Sequence, residues 1–283
     1  MVLSPSTSRQ SEFTAVPERT PMSQRSTPRY DLSAPQRASA NGDSMSSHIE
    51  ELDRKMTDLG EIVLRRRLEP TLLVDVYEVK LGDEYLMSSL FTASETQLAK
   101  LTLAALEGTA LDIAVGGLGL GYTAYATLND ERVRSLYVIE AVPEVIDWHH
   151  RHLVPLATTL TSDRRCHFVE SDFFATIAAD DAFGPNAPYR VHAVIVDIDH
   201  TPQHHLHPRH AAFYTPEGLR HLAVRLLPGG VFALWSDDPP DSAFMAAARQ
   251  VFASCEAQVI SFPNPLTGGE SSNTVYISRI DHG

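Results

Sequence analysis

Glycines dominate one short stretch of the chain, where they could bring a ligand against the backbone. Residues 111–128 read LDIAVGGLGLGYTAYATL, in which an apolar run ends in four glycines within six residues before a helix-like segment. Gly117, Gly119 and Gly121 form a Gly-x-Gly-x-Gly pattern. A strand, a glycine loop and a helix together present backbone N–H groups to a ligand. We therefore expect a ligand-binding loop, with a tight turn and no ligand as the alternative.

Two acidic residues follow the next two strand-like segments. Glu140 lies 19 residues beyond Gly121, in SLYVIEAVPEV, where a carboxylate can accept the hydroxyl hydrogens of a ribose. Asp172 comes directly after the third strand-like segment, in FVESDFF. Each acid has a structural alternative. The helix dipole favours an acid at a helix start, and an aspartate can cap a helix that begins at residue 173.

Two further aspartates end the fourth strand-like segment, VIVDID. Asp197 and Asp199 lie at the carboxyl edge of the predicted sheet, where open α/β sheets bind ligands. The two carboxylates share one face if the strand continues that far, and together they could bind a cation. Asp197 is the candidate proton acceptor at this edge, with Asp199 in reserve. Turn formation before HTPQ is the alternative.

Short strands that alternate with helices must position these residues. Strands are predicted at residues 110–115, 134–139, 165–170, 191–197, 230–235, 256–262 and 273–279. Helices are predicted at residues 121–128, 142–156, 173–179, 215–227 and 241–253. Short apolar strands without alternation are typical of a mostly parallel sheet with helices on both faces. The last two strands are joined only by a loop, which predicts an antiparallel last strand.

Three regions are predicted along the chain. Residues 1–45 are rich in Ser, Pro, Arg and Thr and are expected to form a disordered tail. Residues 56–93 have partly alternating β-branched segments and a turn at Gly82–Asp83, which predict a small β region. Residues 94–283 contain the alternating strands and helices.

Three local patterns carry their own expectations. Ser94 and Gln97 have the spacing of a capping box at the start of a helix that Gly108 would end. WHHRH, residues 148–152, is predicted to be an exposed helix face with Trp148 half-buried. The five histidines of residues 200–210 lie among prolines without a nearby Cys or Glu, so we expect a mobile polar loop and no metal.

The composition of the whole chain limits which classes of partner it can bind. A formal net charge of −13 argues against nucleic acid, because phosphate binding needs a basic face. The N-terminus lacks the apolar core of a signal peptide, and no apolar run approaches the ~20 residues that cross a bilayer. With only two cysteines, the chain is expected to be cytoplasmic, without a membrane partner.

These motifs together resemble the class I S-adenosylmethionine-dependent methyltransferases, and within them the spermidine synthase-like branch. GGLGLG stands where that branch has GGGDGG, and VIVDIDHTP stands where it has a VDSSDP-type motif. LLPGGVFALW, before the fifth strand, completes the set of methyltransferase-like motifs. The resemblance covers roughly residues 60–280. It implies a Rossmann-like seven-stranded sheet preceded by the small β region, with residues 94–283 as the nucleoside-binding catalytic domain.

The resemblance also implies roles for individual residues. Gly117, Gly119 and Gly121 would line the nucleoside and amino-acid parts of the donor, and Glu140 would hold the ribose. Asp172, followed by Phe173, would contact the adenine amine. Asp197 would hold and help to deprotonate the acceptor. A homodimer is a further implication.

The donor and the reaction remain open at this point. Gly119 stands where the family has a loop aspartate, which narrowly favours S-adenosylmethionine and methyl transfer to a small amine-containing acceptor. The resemblance itself implies decarboxylated S-adenosylmethionine and aminopropyl transfer to a diamine. A non-catalytic binding protein with the same fold is the third reading.

Overall fold

A computed structural model describes residues 49–57 and 59–281 of the 283-residue chain. The predicted tail, residues 1–45, lies outside the described residues.

A four-stranded antiparallel sheet comes first. Its strands are β1 Ile49–Thr57, β2 Gly60–Glu69, β3 Val74–Leu81 and β4 Glu84–Ser88, paired in chain order. The β3–β4 turn contains Gly82 at a φ of 56°, a left-handed conformation that glycine adopts without strain. The sheet begins at Ile49, before the predicted start at residue 56.

The second sheet has the seven predicted strands. They are β5 Leu111–Gly116, β6 Val133–Glu140, β7 Cys166–Glu170, β8 Val191–Val196, β9 Leu226–Ser236, β10 Ser254–Asn264 and β11 Gly269–Arg279. Their order is β10-β11-β9-β8-β5-β6-β7, and β8, β5, β6, β7 and β9 pair in parallel. β11 is antiparallel to both β9 and β10. The predicted fold class is therefore confirmed.

Within the part of the chain that the structure describes, seven α-helices connect the strands. They are α1 Ala93–Ala104, α2 Tyr122–Leu128, α3 Pro143–His150, α4 Ala157–Ser162, α5 Phe173–Ala178, α6 Pro216–Ala223 and α7 Ser242–Ala248, with a 3₁₀ turn at Pro208–Ala212. Every residue of β5 is buried, as expected for a central strand covered on both faces. No helix among residues 49–57 and 59–281 is long and apolar enough to span a membrane.

The two sheets share one hydrophobic core. Ile62, Leu64 and Val79 of the first sheet belong to the same buried cluster as Ile113 and Val115 of β5. Their joint burial removes apolar surface of both sheets from water, which is the main favourable term in folding.

A polar contact reinforces this junction on the WHHRH helix. The indole Nε1–H of Trp148 donates to Asp53 Oδ2 of β1 at 2.9 Å, and Arg151 Nη1 donates to the same oxygen at 3.0 Å. Trp148 and His149 have no exposed surface. The prediction is wrong for Trp148 and His149, because β1 and the glycine loop cover this side of α3, whereas His150, Arg151 and His152 are exposed as predicted.

The predicted capping box is also wrong. Thr92 precedes α1 without a side-chain cap, and α1 ends at Ala104, before Gly108. The Ser94 hydroxyl instead donates to Glu95 Oε2 at 2.9 Å and accepts from Trp235 Nε1 of β9 at 3.0 Å. This tertiary contact uses the oxygen that a capping box needs.

Candidate active site

The glycine loop joins β5 to α2 at the carboxyl edge of the large sheet. Gly117, Gly119 and Gly121 have φ values of 96°, 48° and 89°, a region that side chains other than glycine rarely adopt. The neighbours leave no room either. A Cβ on Gly117 would lie 2.2 Å from the Asp197 backbone oxygen, and one on Gly119 would lie 2.6 Å from the sulfur of Met87.

These contacts explain why glycine is needed at each position without any ligand. The loop packs so closely on the end of β8 and on β4 that its glycines are required by the protein itself. The close approach at Gly117 also places Asp197 directly beside the loop, where it could take part in chemistry. A ligand contact with the loop stays a prediction.

Glu140 ends β6 and holds the loop. Its Oε2 accepts from the Leu118 N–H at 3.0 Å and its Oε1 accepts from the Val142 N–H at 2.9 Å. Burial raises the pKa of Glu140, while these backbone N–H groups oppose the rise. The backbone N–H groups of Leu118, Gly119, Ala141 and Val142 all act on this carboxylate, which has about four acceptor sites, and its contact with a ribose stays a prediction.

The two residues assigned to adenine have structural contacts. Asp172 Oδ1 accepts from the Ala175 N–H at 3.0 Å, so Asp172 is the N-cap of α5. Phe173 is buried, and a Cβ on Gly116 would lie 2.8 Å from its ring. Phe173 thus supports the end of β5 from within the core, and the adenine contact of both residues stays a prediction.

Asp197 follows β8 and is held in place by α2. Its Oδ2 accepts from the Thr123 hydroxyl at 2.6 Å, and its backbone N–H donates to the Gly116 carbonyl at 2.9 Å. Burial raises the pKa of Asp197, and the Thr123 hydrogen bond partly opposes the rise. A carboxylate with a raised pKa is a better proton acceptor than one in open water.

A second carboxyl group, Glu95 in the first turn of α1, lies close enough to Asp197 for the two charges to interact. Burial, followed by the charge of Asp197, raises the pKa of Glu95 to about 7. α1 packs across β8, β9 and β11, which carries Glu95 to the carboxyl edge of the sheet. Two carboxyls in one half-buried space favour a shared proton or a bound cation.

The sequence alone does not single out Glu95 as a site residue. Its only local signal was an acid in the first turn of a helix, which the helix dipole explains without chemistry. The pairing depends on tertiary packing, because Glu95 and Asp197 are 102 positions apart in the chain.

Asp199 has different surroundings from Asp197. β8 ends at Val196, so the condition for a shared strand face is not met. Asp199 is buried and accepts from the Leu206 N–H at 2.7 Å, the Tyr214 hydroxyl at 2.9 Å and His210 Nδ1 at 2.8 Å. These contacts anchor the histidine-rich loop. The catalytic role of Asp199 stays a prediction that its contacts do not support.

Comparisons with known proteins bear on this arrangement. No protein-family model matches the chain, and no curated protein matches it. Among solved structures, the spermidine synthase of Thermotoga maritima aligns over 83% of this chain and 73% of its own, with a TM-score of 0.62 and 16% identity. A spermidine synthase bound to the transition-state analogue AdoDATO aligns over 83% and 74%, with a TM-score of 0.63 and 15% identity.

A methyltransferase also matches. Human methyltransferase-like protein 13, in complex with SAH, aligns over 66% of this chain and 82% of its own, with a TM-score of 0.50 and 19% identity. At these identities the likeness shows the fold. The chain has a spermidine synthase-like fold of the class I S-adenosylmethionine-dependent methyltransferase type.

Proposed function

We propose that the protein transfers a methyl group from S-adenosylmethionine to a small, amine-containing acceptor. The observation that carries this proposal is the carboxyl pair Asp197 and Glu95 beside the glycine loop. Asp197 is fixed by Thr123, and its raised pKa suits it to accept a proton. The pair has the charge needed to hold an ammonium group next to a bound donor.

The donor side is supported by the loop and by Glu140. Glu140 ends β6 and contacts the loop at Leu118, where a donor bound at the loop would bring its ribose close to a carboxylate. The solved structures of similar fold include one bound to SAH and one bound to AdoDATO. The ligands of those two proteins support the proposal that a nucleoside donor binds at this loop.

The residues of this chain would supply position and a proton acceptor. Glu95 and Asp197 bind the ammonium form of the acceptor, and Asp197 takes the proton that it must lose. The freed nitrogen lone pair forms the N–C bond as the S–C electron pair passes to sulfur, which leaves as a neutral thioether. Because the sulfonium carbon is already activated, orientation of the two reactants provides much of the acceleration.

Methyl transfer is preferred over aminopropyl transfer because of the loop. Gly119 carries no acid, and the space beside it is filled by the uncharged sulfur of Met87. A loop carboxylate there would repel the carboxylate of S-adenosylmethionine, which the decarboxylated donor lacks, so a loop without an acid suits S-adenosylmethionine. Aminopropyl transfer remains the second candidate, because the similar structures that cover 83% of this chain are spermidine synthases.

Calorimetric titration of the full chain with S-adenosylmethionine and with its decarboxylated form tests the proposal. We expect tighter binding of S-adenosylmethionine, and release of S-adenosylhomocysteine with a member of a panel of small amines. Tighter binding of the decarboxylated donor, with methylthioadenosine release from a diamine, would establish the second candidate. Absence of binding to either donor would overturn both.

Asp197→Asn then tests the mechanism. This variant should bind the donor as the wild type does and lose about 10²-fold or more of the transfer rate, the usual contribution of a general base. Asp199→Asn is the matched control, since it alters a buried aspartate two positions away that anchors a loop. Full transfer activity in Asp197→Asn would remove the assigned base.

A further inference from the structure

His149 is a buried histidine of α3 that contacts the glycine loop. It lies near the end of α3 and has no exposed surface. Its Nε2 lies 2.9 Å from the Gly119 carbonyl oxygen, and a Cβ on Gly121 would lie 3.0 Å from its Cε1. One ring therefore contacts the last two glycines of the motif.

The chemistry of this contact fixes the state of the ring. A carbonyl oxygen only accepts, so Nε2 must carry the hydrogen and donate it. Burial lowers the pKa of His149 to about 4, which keeps the ring neutral and leaves Nδ1 without a proton. Nδ1 is buried and has no hydrogen-bond partner among the residues that the structure describes. The ring is thus committed to a single polar contact, the one with Gly119.

That contact sets the direction of a peptide plane. The Gly119–Leu120 peptide is trans, as are all peptide bonds described, so its C=O and N–H point in opposite directions. When His149 holds the Gly119 carbonyl, the Leu120 N–H faces away from α3. There it donates to the sulfur of Met87 at 3.2 Å, and a thioether is a weak acceptor.

The rest of the loop is held by other groups. Leu118 N–H donates to Glu140, and the Gly121 N–H donates to the Leu118 carbonyl at 2.8 Å. Neither contact restrains the Gly119–Leu120 plane, and glycine rotates about its backbone bonds more freely than any other residue. His149 is therefore the strong restraint on that plane.

We propose that His149 is a positioning residue for the donor-binding loop: it holds the Gly119–Leu120 peptide in the one orientation that presents the Leu120 N–H to the side opposite α3. The effect on the donor rests on the proposed function. The effect on the loop does not.

His149→Phe and His149→Gln separate the two parts. Phe fills the ring volume without a donor, whereas the Gln side-chain N–H can restore the bond to the Gly119 carbonyl. His150→Phe is the matched control, since His150 is the next residue of α3 and is exposed. Folding of each full-length variant is checked by circular dichroism.

The first readout is amide hydrogen exchange of residues 117–121 in the protein without ligand. We expect His149→Phe to speed exchange in this loop by about tenfold, the scale of one hydrogen bond, with His149→Gln and His150→Phe near the wild type. The second readout is the dissociation constant for S-adenosylmethionine, which should rise about tenfold in His149→Phe and be restored in His149→Gln.

The outcomes are distinguishable. Unchanged loop exchange in His149→Phe would overturn the positioning role, whatever the donor result. Faster loop exchange with unchanged donor affinity would overturn its role in donor binding. If the wild type binds no donor, the proposed function fails, and loop exchange alone decides whether His149 positions the loop.

Discussion

The raised pKa values of Asp197 and Glu95 affect both the chemistry of the site and the stability of the fold. The raised pKa that equips a carboxyl to hold a proton also makes the folded state sensitive to pH. Burial and the charge of Asp197 raise the pKa of Glu95 in the folded protein to about 7, from 4.5 for an ordinary glutamate. Between these values the native carboxyl binds a proton that the unfolded chain has released, so this group favours folding at pH 5 and ceases to do so as the pH rises through 7.

Glu95→Gln should therefore stabilise the protein selectively at high pH. Gln cannot ionise, so the variant does not lose the contribution that the wild type loses between pH 5 and pH 8. We expect the free energy of unfolding of the variant, relative to the wild type, to be about 2 kcal/mol more favourable at pH 8 than at pH 5. Urea unfolding at the two pH values measures this difference.

Glu107→Gln controls for the substitution itself, because Glu107 is exposed just beyond α1. An equal effect of Glu95→Gln at both pH values would contradict the shared environment of Glu95 and Asp197.

Single residues show what sequence could and could not predict about the site. Glu140 and Asp197 lie at the predicted edge of the sheet because strand ends in parallel sheets meet there, a rule that needs only the order of elements; their roles with a ligand stay predictions. Glu95 and His149 were missed because their partners are remote in sequence. His149 in particular stands in a polar-looking WHHRH run, and only the packing of α3 under the loop makes it internal.

The strands of the large sheet are predicted closely, but the helices are not: α3 ends at His150 and not at 156, α4 Ala157–Ser162 is not predicted, and α6 ends at Ala223 before β9 begins. β5 was expected at residues 110–115 and is Leu111–Gly116, and the PNPLTGGESSN loop does close an antiparallel pair from Asn264 to Gly269. These elements follow from buried apolar runs and breakers, which are local properties. The predicted start of the β region was wrong, because β1 is largely exposed and owes its place to pairing with β2.

The docking of β1 on α3 gives a prediction at the scale of elements. Asp53→Ala would leave the buried indole N–H of Trp148 without its acceptor, which costs about 1–3 kcal/mol in the free energy of unfolding. In a Trp148→Phe background the same change should cost less, because no indole N–H remains. The four variants of this double-mutant cycle are compared by urea unfolding.

Asp147→Ala is the control for this cycle. Asp147 is exposed and pairs with Arg151 at 2.8 Å, the same arginine that contacts Asp53. An exposed pair of this kind contributes only about 0–1 kcal/mol. Additive losses in the cycle would show that the Asp53–Trp148 hydrogen bond does not couple the two elements.

At the scale of the molecule, the shared core predicts cooperative unfolding. Ile62, Leu64 and Val79 of the first sheet pack into the same cluster as β5, so neither sheet keeps its buried surface when the other unfolds. Trp235→Phe leaves Trp148 as the single tryptophan, at the junction of the two sheets. Its fluorescence and the far-ultraviolet circular dichroism should change at one urea concentration. Separate midpoints would mean that the small sheet unfolds independently.

The place of β11 affects how the chain can fold during its synthesis. β11 lies between β9 and β10, although both are made before it. A ribosome that has produced residues up to 264 therefore carries two strands whose shared neighbour does not yet exist. Their unpaired edges are open to wrong partners until β11 emerges. We expect the nascent chain to bind chaperones until about residue 279 has left the exit tunnel, and the large sheet to close only after that.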